Sequence, residues 1–262
     1  MAVAIKTSIG KAMGAMLAVG LLGATLMADT GMASRYDNQI QTAVTQKLAA
    51  KREFSNVKAS VAEGIVTLTG TVDLYQGKLD AAKVARKAGH AQGVRNLVDV
   101  AGQNVSDAEL EQKLAKKLRY VRMGYDITFD YFALGVKNGV VTVEGQDRTG
   151  LGRDEAMADI ATTPGVKDVI ENISLEPVSQ FDDGLRFRAV RVIYGDSVLS
   201  KYAIDPARPI RIIVDNGHVT LYGSVDSKMD KEVAGIRANG LFGAFSVDNK
   251  LQIEGKSGQQ GL

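Results

Sequence analysis

The side chains that most often bind metals or act as nucleophiles are scarce in this chain. It contains two histidines, His90 and His218, and no cysteine. Imidazole and thiolate are the main protein ligands of zinc, and two histidines in distant parts of the sequence form no ligand pattern. No Gly-x-Ser-x-Gly segment is present to place a nucleophilic serine beside either histidine. The sequence therefore predicts neither a metal site nor a Ser-His-Asp site.

Glycine-rich and acidic segments do not indicate an enzyme either. Gly150-Leu-Gly152 lacks the further glycine, lysine and serine that make a phosphate-binding loop. Many carboxylates lie at predicted helix starts or turns, where aspartate commonly caps free backbone N–H groups; these are Asp73, Asp182, Asp183 and Asp226. We predict a non-catalytic protein without a cofactor.

The helix predicted to open the last third of the chain has an unusual outer face. Leu185, Ala189 and Val192 are expected to face the core. The opposite face carries two aromatic rings and two guanidinium groups: Phe187, Arg188, Arg191 and Tyr194. Rings at headgroup level and arginines bound to phosphates are typical of a helix that lies on an anionic lipid surface. The alternative is that both rings pack against a neighbouring part of the chain, with the arginines around that contact.

This helix belongs to a pattern that occurs three times. Each time, a dipeptide ending in glycine lies between alternating apolar residues: Glu63-Gly64, Asn138-Gly139 and Asn216-Gly217. Asn-Gly in this setting is the strongest short-range signal of a β-hairpin, because both residues tolerate the positive φ of a type I′ turn. A second glycine ends the strand six residues after each turn glycine: Gly70, Gly145 and Gly223. We predict that these six glycines are structural.

Each hairpin is flanked by the same predicted elements, so that each unit has the order helix-strand-strand-helix-strand. The last strand returns after a helical crossover and should therefore pair in parallel with the hairpin on a right-handed connection. The predicted fold class is α+β, with three tandem two-layer modules. Each module has a three-stranded mixed sheet covered on one face by two helices. The predicted bounds of the modules are 34–103, 104–178 and 179–255.

Large apolar residues are predicted to form the buried stripes of the third module. The opening helix spaces Phe181, Leu185, Ala189 and Ile193 at intervals of four. The closing helix carries Met229, Val233 and Ile236, and the last strand carries Phe245, Val247, Leu251 and Ile253. In the second module, the aromatic residues before the hairpin are predicted to lie in the core and in a strand; they are Tyr120, Tyr125, Phe129, Tyr131 and Phe132.

The first 33 residues have the layout of a secretory signal peptide. Lys6 and Lys11 precede an uncharged run at 12–28, and the small residues of Gly31-Met-Ala33 offer a cleavage point before Ser34. An uncleaved membrane anchor is the alternative, although the run is shorter than the roughly 20 residues that span a bilayer. At the other end, residues 256–262 are predicted to be a disordered tail. This layout predicts an exported protein.

The charge of the chain argues against nucleic acid as a partner. The formal net charge is +2, of which Lys6 and Lys11 against Asp29 contribute +1 within the predicted signal peptide. A protein that binds nucleic acid by its charge needs a dominant basic field. A remaining charge near +1 does not provide one.

The hairpin and the segments after it resemble the BON domain (bacterial osmotically inducible protein Y and nodulation domain). The similar pattern is Val-x-x-x-Gly-x-Val-x-Leu-x-Gly-x-Val, then an alanine-rich helix, then Gly-Val-x-x-Val-x-Asn. Besides the six hairpin glycines, the residues that carry it are Gly93, Val94, Gly165, Val166, Val169, Asn172, Gly243, Val247 and Asn249. The resemblance covers about residues 37–253. The third copy departs from it, with Ala244 in place of valine and a longer, proline-containing linker.

The resemblance implies an envelope protein without enzymatic activity that associates with phospholipid membranes or with envelope proteins, often in connection with osmotic or envelope stress. Together with the outer face of the third opening helix, it leads us to expect binding to anionic phospholipid surfaces in the periplasm. A second expectation is a protein-binding adaptor or chaperone-like factor for envelope proteins. Such a factor would use the sheet edges and the aromatic segment 120–132.

Overall fold

The protein consists of three successive modules with one common order of elements. The computed structural model describes residues 29–88, 91–118, 128–205 and 208–254. Module 1 contains α1 (Asp29–Ala49), β1 (Val57–Ala62), β2 (Ile65–Val72), α2 (Tyr75–Lys87) and β3 (Gly93–Val100). Module 2 contains α3 (Asp107–Leu118), β4 (Tyr131–Lys137), β5 (Val140–Asp147), α4 (Leu151–Ala161) and β6 (Asp168–Leu175). The predicted order helix-strand-strand-helix-strand is confirmed in both.

Module 3 repeats this order with additions. It contains α5 (Gln180–Tyr194), α6 (Lys201–Ile204), β7 (Arg211–Asp215), β8 (His218–Tyr222), β9 (Ser224–Val225), α7 (Lys228–Asn239), β10 (Ser246–Asn249) and β11 (Gln252–Ile253). The short helix α6 lies within the segment predicted to be a linker. The second hairpin strand and the last strand are each interrupted, so that β9 and β11 form a separate two-stranded sheet.

Each module has a mixed three-stranded sheet with the second hairpin strand at its centre. The sheet orders are β1-β2-β3, β4-β5-β6 and β10-β8-β7. The hairpin strands pair antiparallel, as in the register that places Val61 opposite Val66. The last strand pairs in parallel with the central one, with Leu68 opposite Asn96 in module 1. The predicted α+β class and mixed sheets are confirmed.

The two helices of each module cover one face of its sheet. In module 1, residues four apart on α1 are almost completely buried: Ile40, Val44 and Leu48. The second helix contributes small side chains, Ala81 and Ala85, to the same core cluster. Alanine lets a helix approach a sheet closely, so each thin module can form a core with short side chains.

Several large residues of module 3 are not in the core, where the sequence predicted them. On α7 the buried positions belong to Asp230, Ala234 and Ala238, while Met229 is 60% and Ile236 is 71% exposed. The predicted stripe on α7 was therefore wrong at Met229 and Ile236. The alanines face the sheet, because only small side chains fit at this close approach. The large apolar residues remain on the surface.

Modules 1 and 2 each bury an aromatic side chain in the core of the next module. Tyr75 of module 1 is buried in the core cluster of module 2. Burial and the nearby carboxylate of Asp168 raise the pKa of Tyr75. In the same way, Phe129, just before β4 of module 2, is buried in the core cluster of module 3. Each junction is thus partly a hydrophobic core, and the prediction that Phe129 is a core residue is confirmed.

The first described helix begins earlier than the sequence predicted. The first module was predicted to open with a helix no earlier than residue 34, but α1 begins at Asp29 and continues through Met32 and Ala33, which both favour helix. Most of the predicted signal segment, residues 1–28, lies outside the described residues, as does the predicted tail. Among the helices that the structure describes, none is long and apolar enough to cross a bilayer.

Candidate functional site

The turn glycines adopt backbone conformations that side chains disfavour. Gly64, Gly139 and Gly217 have φ between +74° and +78°, and the residues before them have φ between +50° and +55°. These values belong to type I′ turns. The second glycine of each hairpin lies against the partner strand. A Cβ atom at Gly70 or Gly145 would lie 1.9 Å from a backbone carbonyl oxygen, and one at Gly223 would lie 2.7 Å from the carbonyl oxygen of Pro209.

An aspartate of the opening helix holds each hairpin turn. In module 3, the carboxylate of Asp182 accepts hydrogen bonds from the N–H groups of Asn216 at 3.2 Å and Gly217 at 2.8 Å. Asp37 and Asp107 do the same in modules 1 and 2, at 2.7–2.9 Å. The turn N–H groups lower the pKa of Asp107. These bonds fix the opening helix, including its outer face, against the sheet.

Three of the four predicted contact residues lie at the outer face of α5. Phe187 is 52% exposed and Arg191 is exposed, while Arg188 is half-buried. The core-facing stripe is Leu185, Ala189 and Ile193. The predicted stripe was wrong at Val192, which is exposed.

Tyr194 does not extend this exposed face, although helical periodicity predicted that it would. Its ring packs against the core cluster of module 3. Its hydroxyl donates a hydrogen bond to the carbonyl oxygen of Ile210 at 2.6 Å. Burial raises the pKa of Tyr194 to about 12. The reason is that α5 ends at Tyr194 and the chain then returns beside it into β7.

The guanidinium of Arg188 lies between α5 and the loop after α7. Its Nη1 atom lies 3.3 Å from the position that a Cβ atom of Gly184 would take. Its Nη2 atom lies 3.2 Å from the corresponding position at Gly243. The Nε atom of Arg188 is buried and has no hydrogen-bond partner among the described residues. Arg188 thus joins the outer face of α5 to the 241–245 loop.

Three exposed phenyl rings, one on α5 and two on the 241–245 loop, were not predicted to be part of this site. Phe181 is 48%, Phe242 is 89% and Phe245 is 72% exposed. The rings of Phe181 and Phe245 stack with their centroids 5.8 Å apart. The predictions of Phe181 and Phe245 as core residues were wrong, because Asp182 takes the first buried position of α5 and β10 begins only after Phe245. The available sequence signal was Phe242-Gly243, an aromatic residue in a glycine-flanked loop.

The two histidines are not brought together by any described contact. His218 is exposed, with Nδ1 2.7 Å from Oγ of Ser246. Its ring meets that of Phe245 edge-on at 6.1 Å. His90 lies outside the described residues. Within the described ranges, no group of three or more His, Cys, Asp or Glu side chains could hold a metal ion.

A cleft of about 340 Å³ lies between modules 2 and 3. Tyr131 and Tyr222 stack in its wall with centroids 3.9 Å apart. Its cations already have partners: Arg208 is paired with three carboxylates, and Lys250 with Asp248. Since an anionic ligand would have to compete with these carboxylates, the cleft is a weaker candidate than the outer face of α5.

A buried ion pair lies at the same junction. Arg186 binds Glu176 and also donates Nη1 to Asp183 at 2.7 Å. Burial raises the pKa of Glu176 to about 7, even though Arg186 lowers it; Asp130 and Asp215 add to the rise. Oε1 of Glu176 has no hydrogen-bond partner among the described residues. The position of the pair, between two modules and away from solvent, indicates a structural role.

The fold defines a chain of three small two-layer α+β modules. The BON domain model matches three segments of the chain, residues 36–102, 106–177 and 196–255. The protein belongs to the BON domain family. This family is in general non-catalytic and is associated with phospholipid binding and with osmotic or envelope proteins.

Other comparisons add little. No curated protein sequence matches the chain. Two structures of CdsD, a structural protein of the type III secretion system of Chlamydia trachomatis, are similar at 14% identity over 82% of this chain. The alignment with the C-terminal domain of CdsD covers 96% of that chain with a TM-score of 0.24, and the alignment with the second structure covers 90% with a TM-score of 0.23. At these TM-scores the likeness carries no argument.

Proposed function

We propose that this protein is a non-catalytic periplasmic envelope protein that binds anionic phospholipid surfaces, in a role linked to osmotic or envelope stress. Membership of the BON family supports the class of partner. The layout of residues 1–33 supports the periplasmic location. The observation that carries the proposal is the outer face of α5, where exposed Phe187 and Arg191 lie with the half-buried Arg188.

The residues of this face suit a headgroup region. Guanidinium groups bind phosphate oxygens in a bidentate manner. Each cation near an anionic surface contributes about 1 kcal/mol. Two arginines alone would therefore give weak attachment that falls as salt is added. The exposed ring of Phe187 adds apolar area that salt does not screen.

The test is binding of the mature chain to vesicles of phosphatidylcholine with and without phosphatidylglycerol. We expect flotation only with the anionic vesicles, and a loss of binding of at least tenfold for Arg188→Glu with Arg191→Glu. The matched control is Lys113→Glu with Lys116→Glu, the same charge change on the exposed face of α3. Since Arg188 is half-buried, Arg191→Glu alone and thermal unfolding of every variant separate lost binding from lost folding. Unchanged binding by the folded double variant would exclude this face.

The alternative function is a protein-binding adaptor or chaperone-like factor. Two rings of the aromatic segment assigned to that role already contact other parts of this protein. Phe129 is buried in module 3, and Tyr131 stacks on Tyr222. Residues 119–127 of this segment lie outside the described residues. Capture of envelope proteins that tolerates high salt, with no preference for anionic vesicles, would favour the adaptor over the lipid-binding protein.

A further inference from the structure

The loop between α7 and β10 holds two phenyl rings in solvent although it is anchored on both sides. Leu241 is buried in the core cluster of module 3. At the other end, the N–H group of Phe245 donates to the carbonyl oxygen of Gly217 at 2.8 Å. Between these anchors Gly243 has a φ of +96°, which side chains rarely adopt. The rings of Phe242 and Phe245 are therefore presented outward by an ordered loop.

These rings belong to a larger apolar surface that also contains a cation. Phe245 stacks with Phe181 of α5, and Cζ of Phe181 lies 3.7 Å from where a Cβ atom of Gly243 would be. The guanidinium of Arg188 borders the same glycine. Soluble proteins rarely leave contiguous apolar surface of this kind exposed unless it contacts a partner or a membrane.

The charges around the rings indicate which partner fits. Residues 239–247 contain no carboxylate. The two carboxylates of the first turn of α5 are used elsewhere: Asp182 holds the hairpin turn, and Asp183 pairs with Arg186 and Arg148. The surface is therefore apolar at its centre, with the guanidinium of Arg188 at its border. An anionic bilayer has the complementary order, with negative phosphates above an apolar interior.

We propose that the 241–245 loop enters the hydrocarbon region of an anionic bilayer, with Phe242 and Phe245 as the inserted rings and Arg188 at the level of the phosphates. This inference rests on the proposed function, and it names a contact element beyond the outer face of α5. It implies that part of the binding persists at high salt, because inserted rings are not screened as charges are.

The absence of tryptophan from the chain makes insertion directly measurable. Phe242→Trp and Phe245→Trp each introduce a single tryptophan, and Met229→Trp is the matched control. Met229 is 60% exposed and lies at the other end of α7. With vesicles containing phosphatidylglycerol, we expect a blue shift at positions 242 and 245, and quenching by lipids brominated on their acyl chains. The control tryptophan should show neither effect.

The outcomes separate this inference from the proposed function. Binding to anionic vesicles without acyl-chain quenching at 242 and 245 would overturn the insertion and leave lipid binding in place. No binding by the unmodified chain would overturn both. A blue shift at 242 that depends on protein concentration without vesicles would assign the rings to a contact between two copies of the chain. As a second measure, Phe242→Ser with Phe245→Ser should weaken vesicle binding at least tenfold at high salt; equal affinity would also overturn the insertion.

Discussion

Single carboxylates set the geometry of every module. Asp37, Asp107 and Asp182 each bind both N–H groups of a hairpin turn from the opening helix. Their separation from the turns in sequence differs between modules, so the contact has no fixed spacing that a motif search would find. Asp182 is the most deeply placed of the three, with only 1% of its surface exposed.

Replacing Asp182 should therefore destabilise module 3. Asp182→Ala leaves two turn N–H groups without their acceptor, and we expect a loss of roughly 1–3 kcal/mol in the free energy of unfolding. Asp182→Asn keeps one acceptor oxygen and should recover part of this loss. Urea unfolding of the three proteins measures the effect. An alanine variant as stable as the parent would show that the carboxylate does not hold the turn.

Some residues of the candidate site follow from the sequence, because helical periodicity alone determines their positions. Phe187 and Arg191 lie opposite Leu185 and Ala189 in any regular helix. Helical periodicity predicted the wrong position for the side chain of Tyr194. That position depends on a hydrogen bond to the carbonyl group of Ile210, which is distant in sequence. The pattern of neighbouring residues in the sequence does not predict such a contact.

At the scale of elements, the second helix of each module places mainly small side chains against the sheet. The apolar stripe of α7 is built by Ala234 and Ala238, both fully buried. The sequence prediction gave the stripe to larger residues, because hydrophobicity scales rank isoleucine and methionine above alanine. Fitting a helix against a sheet imposes a limit on size that those scales do not contain.

This difference can be tested by two substitutions on the same helix. Ala234→Leu should overpack the contact with the sheet and cost about 1–3 kcal/mol of unfolding free energy. Ile236→Gln, at a position that is 71% exposed, should change it by no more than about 0.5 kcal/mol. Urea denaturation of both variants gives the comparison. The reverse order of effects would mean that Ile236 is in the core.

The rings of the 241–245 loop were not predicted as part of the site, because their exposure depends on where a strand begins. From sequence, Phe245 suited the last strand, because Val247, Leu251 and Ile253 follow at strand-like positions. In the structure, β10 begins at Ser246, and the ring of Phe245 turns toward Phe181 instead. The fold class followed from the repeat, whereas the contact surface depends on where two elements end.

At the scale of the whole molecule, the modules are joined by shared cores and by buried charge. Phe129, just before β4 of module 2, is buried in the core of module 3, and Glu176 binds Arg186 at the same junction. Repeat similarity predicts the modules, because each copy carries the pattern. It does not predict the junctions, since equivalent residues are buried in different places: Phe54 lies in the core of its own module, whereas Phe129 lies in the core of the next one.

The junction should make the stability of the chain depend on pH near neutrality. Because burial raises the pKa of Glu176 from its ordinary 4.5 to about 7, the folded protein favours the protonated carboxyl group. The raised pKa of Glu176 therefore stabilises the folded state at low pH. This stabilisation is complete below pH 4.5 and is lost as the pH rises through about 7. Glu176→Gln is neutral at every pH and keeps an oxygen for Arg186. Relative to this variant, the parent should lose roughly 2–3 kcal/mol between pH 5 and pH 8. Thermal unfolding of both proteins across this range measures the difference, and parallel pH profiles would show that Glu176 is ionised throughout.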